Sequence, residues 1–323
     1  MRIAGTSTSR IMPIRRQELN ARRAHRREGA VRVRAGFDVN SDIIDPIKTT
    51  IADVQTVSGA KNVAERAALF APVALPAFAT LAATHLGGQG IGAMMAAMHA
   101  PAAPITVLGP LTAAILMSKV GVYIQAAVTT AGFYGIGDDI PAAYTTVVYF
   151  LAAFTLWAGS GLGLTDAFIR NAMAYHLACG SLLGLRVKKI RNLLSSAQAE
   201  GLRKVALAGP TVMMSCLILQ GISLKSFEAA GMAGPGILGP VAALLFHPIT
   251  HYLSVFAGLN YWTGVETKRS SAFLALINIV AGISLTTQLA YPYGYMLCAM
   301  HIALGCGLLR ESTPTDSFIP DLA

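Results

Sequence analysis

The stretch AYHLACGSLLGLR, Ala174 to Arg186, returns near the C-terminus as AMHIALGCGLLR, Ala299 to Arg310. In both copies a histidine sits two residues after an alanine. An alanine follows two later, a glycine two after that, and leucines lead to a terminal arginine. Membrane helices draw on the same few residues, so one such match carries little. Three more pairs occur in the same order: ALFAPV (68–73) with ALAGPT (206–211), LGPLTAAIL (108–116) with LGPVAALLF (238–246), and AGFYGIG (131–137) with AGLNYWTG (257–264). The four separations are 138, 130, 126 and 125 residues, shrinking in one direction as small loop deletions would make them. Fixed-order self-similarity predicts a duplicated plan. If each copy crosses a bilayer four times, the chain returns to its starting side. The halves are then parallel, related by an axis along the membrane normal.

Composition supports the bilayer. The 323 residues are 54% hydrophobic and 13% charged, with a mean hydropathy of +0.55. A soluble domain carries about 25% charged residues, too many more for this chain to cover a water-facing surface. The fold class expected is therefore all-α, a polytopic helical membrane protein. A spanning helix needs about 20 apolar residues. Eight runs qualify: 65–84, 104–130, 142–164, 167–187, 205–224, 237–259, 271–290 and 293–309. The short separations at 164–167 and 290–293 predict tight antiparallel hairpins. Before the first run, IADVQTVSGAKNVAERA (51–67) predicts a short amphipathic helix.

The net charge of +9 is concentrated at the N-terminus. Residues 1–35 hold ten arginines against Glu18 and Glu28, and the remainder is nearly neutral, so nucleic acid is not an expected partner. An Arg-rich, acid-poor start without an apolar core reads as an organellar transit peptide. VRVRAGF (31–37) resembles the Val-x-Ala processing site of algal chloroplast transit peptides, which implies cleavage after Ala35. A mitochondrial presequence is the alternative. The basic loops 186–204 and 266–270, with Lys48, Lys61, Arg66 and Arg310, fall on one side of an eight-span chain. The opposite loops, 85–103, 225–236 and 290–293, hold only Lys225. The positive-inside rule then puts both termini in the stroma or matrix. The domains expected are a transit peptide (1–35), a polar segment (36–64), two four-helix halves (65–204 and 205–310) and a tail (311–323).

Residues 85–110 and 226–240 are apolar yet rich in Gly and Pro, and each follows the first span of its half. Irregular backbone cannot lie bare in lipid, and paired interrupted segments point to a transport site. Polar residues within spans are costly and default to function. These are Lys119, read as mid-span, with Gln125; His176 and His301 in the repeated stretch; and His247 and His251, spaced to share one helix face around a Pro248 kink. No Asp or Glu is expected deep in a span, and Asp166 and Arg170 are expected to pair at a span's start. Cationic and titratable groups without a carboxylate suit an anion or neutral solute. Substrate-binding candidates are therefore Lys119, His176, His247, His251 and His301, with gates at 86–104 and 229–240.

No soluble-enzyme signature is present: no P-loop, no H-E-x-x-H, no G-x-S-x-G. No catalytic residues, metal ligands or obligatory cofactor are expected, and the four cysteines read as small buried hydrophobes. The expected function is transport of an anion or small metabolite, with proton coupling through histidine, in a thylakoid or inner-envelope membrane. The expected partners are the lipid bilayer, a small solute, and further copies or a larger membrane complex. Two alternatives remain open. Neutral imidazoles on facing helices hold haem or ligate chlorophyll, and His176, His301 and His251 are candidates for that. A scaffold or assembly factor needs no ligand at all.

Overall fold

The structure is a computed structural model that describes residues 38–86, 118–137, 139–158, 166–220, 245, 247–288 and 293–312. Residues 1–35, expected to be a transit peptide, the Gly/Pro-rich segments and expected gates beyond residue 86, and the C-terminal tail from 313 lie outside these residues. The described part is helical, with no strand among the described residues. A π-helical turn, Asn40–Ile44, leads into α1 (Asp45–Asp53). The chain continues through α2 (Val57–Leu86), α3 (Lys119–Tyr134), α4 (Asp139–Ala158), α5 (Asp166–Gly184), the short α6 (Lys188–Asn192), α7 (Ser196–Leu219), α8 (Pro248–Thr263), α9 (Thr267–Gln288) and α10 (Tyr293–Ser312). Among the described residues, each of the eight apolar runs overlaps a helix of 16 residues or more. The amphipathic helix expected over 51–67 is instead divided, because α1 ends at Asp53 and α2 starts at Val57 and runs on without a break. At 1.5 Å per residue the 30 residues of α2 are about 45 Å long, so Glu65 sits near the end of a helix that continues into the bundle.

Contacts at the helix ends fix the directions. Thr50 donates to the Tyr134 carbonyl at the end of α3 (3.2 Å), the Lys188 amide donates to Asp139 at the start of α4 (3.1 Å), and Trp262 donates to the Lys204 carbonyl (3.2 Å). The starts of α2, α4, α7 and α9 therefore share one end with the finishes of α3, α5, α8 and α10. This is the basic end. The starts of α3 and α8 lie at the far end.

Within the bundle α2 packs on α3, α4 on α5, α7 on α8, and α9 on α10; α2 also packs on α10 and α5 on α7. The two copies of the repeated stretch lie on α5 and α10, and they touch. Tyr175 of the first stacks on His301 of the second, ring centroids 3.9 Å apart and planes 25° from parallel. Glycines allow the closest approaches. A Cβ at Gly132 of α3 would collide with the Phe70 ring of α2, and one at Gly258 of α8 would collide with Val212 of α7. Both Gly132→Ala and Gly258→Ala are expected to lower thermal stability in detergent. Overpacking costs about 1–3 kcal/mol, which outweighs the roughly 0.8–1 kcal/mol of helix propensity that alanine adds. Gly201→Ala on α7, whose Cβ would meet nothing within 4 Å, should raise the melting temperature instead.

On α4 and α8 the distribution of polarity is inverted relative to a soluble bundle. On α8 the exposed stripe is Ile249, Tyr252, Leu253, Phe256 and Leu259, while His251, Ser254, Ala257, Gly258 and Tyr261 face inward. On α4, Val147, Phe150, Phe154 and Trp157 are exposed, and Thr145 and Thr146 are buried. By length and composition one helix among the described residues, Ser196–Leu219, is long and apolar enough to cross a membrane, and 39% of its apolar stretch is buried. The rest of that stretch is mostly half-buried, and no residue from 206 to 219 is fully exposed.

Candidate functional site

The basic end is organised around a carboxylate that sequence reasoning passed over. Glu65 lies at the lip of the first apolar run, beside Lys61 and Arg66, and reads as a solvated flank. In the structure its side chain is 5% exposed and faces two guanidinium groups, Arg186 at 3.4 Å and Arg310 at 3.5 Å. These are the terminal arginines of the two repeated stretches. They reach Glu65 because α5 and α10 end side by side at this level, and α10 comes close where Gly307 has no side chain: a Cβ there would lie 3.7 Å from Glu65 Oε1. This leaves untouched the expectation that no Asp or Glu lies deep in a span, since Glu65 stands at the lip of the first run. Glu65 is buried, and Oε2 accepts no hydrogen bond among the described residues.

A second ionic pair stands nearby on α7 and α10. Arg203 Nε donates to Glu311 at 2.8 Å, and the Tyr261 hydroxyl donates to the other Glu311 oxygen. Tyr261 lies just beyond its apolar run. Burial first, and then the bond to Glu311, push its phenol up, so it stays a donor. Between these pairs opens a cavity of about 750 Å³. Arg66, Arg186, Arg191, Arg203 and Arg310 line it, against Asp53, Glu65 and Glu200, a surplus of two positive charges.

The middle of the bundle holds a chain of hydrogen bonds through Asn278, which is 0% exposed. The Tyr175 hydroxyl of α5 donates to Asn278 Oδ1 (3.2 Å), and Asn278 Nδ2 donates to Thr211 of α7 (2.8 Å) and to the Leu274 carbonyl (2.9 Å). His176 and His301 make matching bonds. Each Nδ1 pairs with the carbonyl four residues back, Ala172 at 2.7 Å and Leu297 at 2.8 Å. A carbonyl can only accept, so in each ring Nδ1 carries a proton and donates it. The rings do not touch one another. His176 meets Tyr149 edge-on at 5.9 Å, and His301 is covered by Tyr175. His251 Nδ1 lies 3.3 Å from the Ser215 hydroxyl, and its Nε2 is buried with no hydrogen bond among the described residues.

The far end corrects three expectations. Lys119 is not mid-helix but the first residue of α3, after Ser118, whose hydroxyl accepts from the Gly121 amide (3.0 Å). His247 is the exposed N-cap of α8 and accepts from the Ile249 amide (3.2 Å), so it shares no helical face with buried His251. Pro248 is the first residue of α8, where a first-turn amide has no helical partner to lose, so it does not interrupt α8 itself. The pairing expected of Asp166 with Arg170 involves an Asp166 side chain outside the described residues, and Arg170 is exposed. The five candidates thus occupy two levels: Lys119 and His247 at the far end, and His176, His251 and His301 inside. Ser118 ahead of Lys119 and the His-Pro pair at 247 are local helix-start signals. For Glu65 no local signal exists.

Set beside known proteins, the chain matches no family model, no curated protein and no solved structure. Its chemistry has to be read from the site. No three His, Cys, Asp or Glu side chains gather to hold a metal ion among the described residues. A macrocycle on His301 would have to share the ring with the Tyr175 stack on one side. The α9 backbone is close as well: a Cβ at Gly282 would sit 3.0 Å from His301 Cβ. That packing suits a helix-to-helix contact better than a tetrapyrrole.

Proposed function

We propose that the chain is an organellar, chloroplast-type membrane protein of eight spanning helices, and that it carries a small anion or anionic metabolite across its membrane. Two like-oriented four-helix halves, 65–204 and 205–310, form the transporter, with both termini and the basic end in the stroma. Lipid as the surrounding medium is supported by the inverted polarity of α4 and α8, since exposed apolar stripes of that length are unstable in water. The two-half plan is supported by the packing. The pairs α2–α3 and α4–α5 have their counterparts in α7–α8 and α9–α10, and the cross-contact α2–α10 has its counterpart in α7–α5.

The observation that carries the anion reading is the arginine-lined cavity with its positive surplus at the basic end. Guanidinium groups in a half-enclosed basin concentrate anions from solution. Beyond it the interior offers hydroxyl, amide and imidazole groups, among them Thr211, Asn278, His176, His251 and His301, and the far end offers Lys119 and His247. The three buried histidines are the groups through which proton coupling would run. The test is flux. The full chain reconstituted in liposomes should release chloride, nitrate, phosphate or malate down a gradient faster than protein-free vesicles do, with Arg310→Gln slowing release. Equal leakage from both vesicle types for every anion would end the reading.

A second reading, a haem- or chlorophyll-binding subunit, is favoured by one feature: two of the three buried histidines, His176 and His301, have their rings fixed by an Nδ1 bond to backbone. An absorption spectrum of the purified protein decides it by the presence or absence of a Soret band.

A further inference from the structure

We propose that the basic-end cavity is a binding site for a phosphate-type oxyanion, held by Arg191, Arg186 and Arg310. The inference deepens the transport reading and rests on it for the ligand's route, though not for its binding. Three observations lead there. First, size: about 750 Å³ is far more than a halide fills and is within the range of small-molecule pockets.

Second, the donors are not used up. Charge-assisted N–H···O bonds are normally about 2.7–2.9 Å. Arg203 makes one with Glu311 at 2.8 Å, whereas Arg186 and Arg310 stand off Glu65 at 3.4 and 3.5 Å. One carboxylate is shared by two guanidinium groups, each with five N–H donors. Glu65 thus holds both forks at the cavity wall without saturating either. Third, the side chain of Arg191, a lining residue on short α6, makes no hydrogen bond or ion pair among the described residues. Planar forks at several points of one basin match the tetrahedral oxygens of a phosphate better than a spherical ion.

The phosphate group has two sources at a membrane face, a soluble phosphate ester or the headgroup of an anionic lipid. Isothermal titration calorimetry of the full chain in neutral detergent, with inorganic phosphate and with glycerol 3-phosphate, tests the first. Comparison of thermal stability in phosphatidylglycerol and phosphatidylcholine nanodiscs tests the second. Saturable heat that weakens about tenfold in Arg191→Gln, less in Arg191→Lys, and falls with added sodium chloride is the expected result, the loss corresponding to one hydrogen bond to a charged group. Arg191 supports no other side chain, so its variants should fold. Stabilisation by phosphatidylglycerol alone, lost in Arg191→Gln, would assign the site to lipid. Absence of both effects, or binding indifferent to Arg191, overturns the proposal. Phosphate binding without any flux would instead leave this site standing and remove the transport reading.

Discussion

The double variant R186Q/R310Q is expected to lose about 3–5 kcal/mol of stability, the cost of leaving a buried carboxylate without its partners. The asymmetry of the cluster makes the prediction specific. Glu65 is 5% exposed, whereas Arg186 and Arg310 are 33% and 47% exposed at their side chains. Removing the acid strands two groups that can turn to water. Removing both bases strands one that cannot. E65Q should therefore cost within about 1 kcal/mol, because partly exposed pairs contribute little and the desolvation of the charge disappears with it. Each single arginine variant should cost less than half of the double, since the remaining guanidinium still faces the carboxylate. The triple variant E65Q/R186Q/R310Q should recover most of the loss. Thermal or denaturant unfolding of the five proteins in one detergent gives the coupling energy directly. Additive single losses, or an E65Q variant as unstable as the double, would show that Glu65 is not the buried member on which the cluster depends.

That cluster also marks where the sequence stopped being readable. The eight long helices lie within or across eight apolar runs, because helix length and hydropathy are local properties. The basic end was legible for the same reason: Lys188, Lys189, Arg191, Arg203 and Arg269 stand in the short connections between runs. The repeated stretch announced that Ala174–Arg186 and Ala299–Arg310 are alike, and the stack of Tyr175 on His301 joins them in space. Glu65 was not legible, because its burial is made by arginines 121 and 245 residues away in sequence. Asn278 was hidden differently. It sits in ALINIV as a lone amide in an apolar run, and only its distances to α5 and α7 reveal that it joins three helices. Lys119 and Pro248 were misread for a correctable reason. Hydropathy ran smoothly through 104–130 and 237–259, and the Ser118 cap and the His247-Pro248 start were given less weight than the run.

Asn278→Asp should be the most damaging single substitution in the bundle, at about 2.5–3.5 kcal/mol or more, the cost of an acidic side chain at the centre of a helix that spans a bilayer, as the proposed function has α9 do. The two residues have nearly the same shape, so the comparison isolates chemistry. Asn278 spends its amide NH₂ on Thr211 and on the Leu274 carbonyl, and its oxygen on the Tyr175 hydroxyl. A carboxylate keeps the Tyr175 bond and can accept from the Thr211 hydroxyl once that rotates, but it turns the bond donated to the Leu274 carbonyl into a contact between lone pairs, with no water to intervene. Asn278→Leu should cost less. It removes the same bonds without adding charge, and side-chain hydrogen bonds between membrane helices are worth about 0.6 kcal/mol each on average; the Tyr175 hydroxyl left without its acceptor adds about 1–3 kcal/mol. Asn278→Ala falls between, through the cavity it leaves. The order Asp, Ala, Leu in falling cost can be measured by unfolding in detergent. It follows from a polar joint enclosed where α5, α7 and α9 meet, and an Asp variant as stable as the Leu variant would mean that water reaches Asn278 and that the joint is part of a wet path between the two ends.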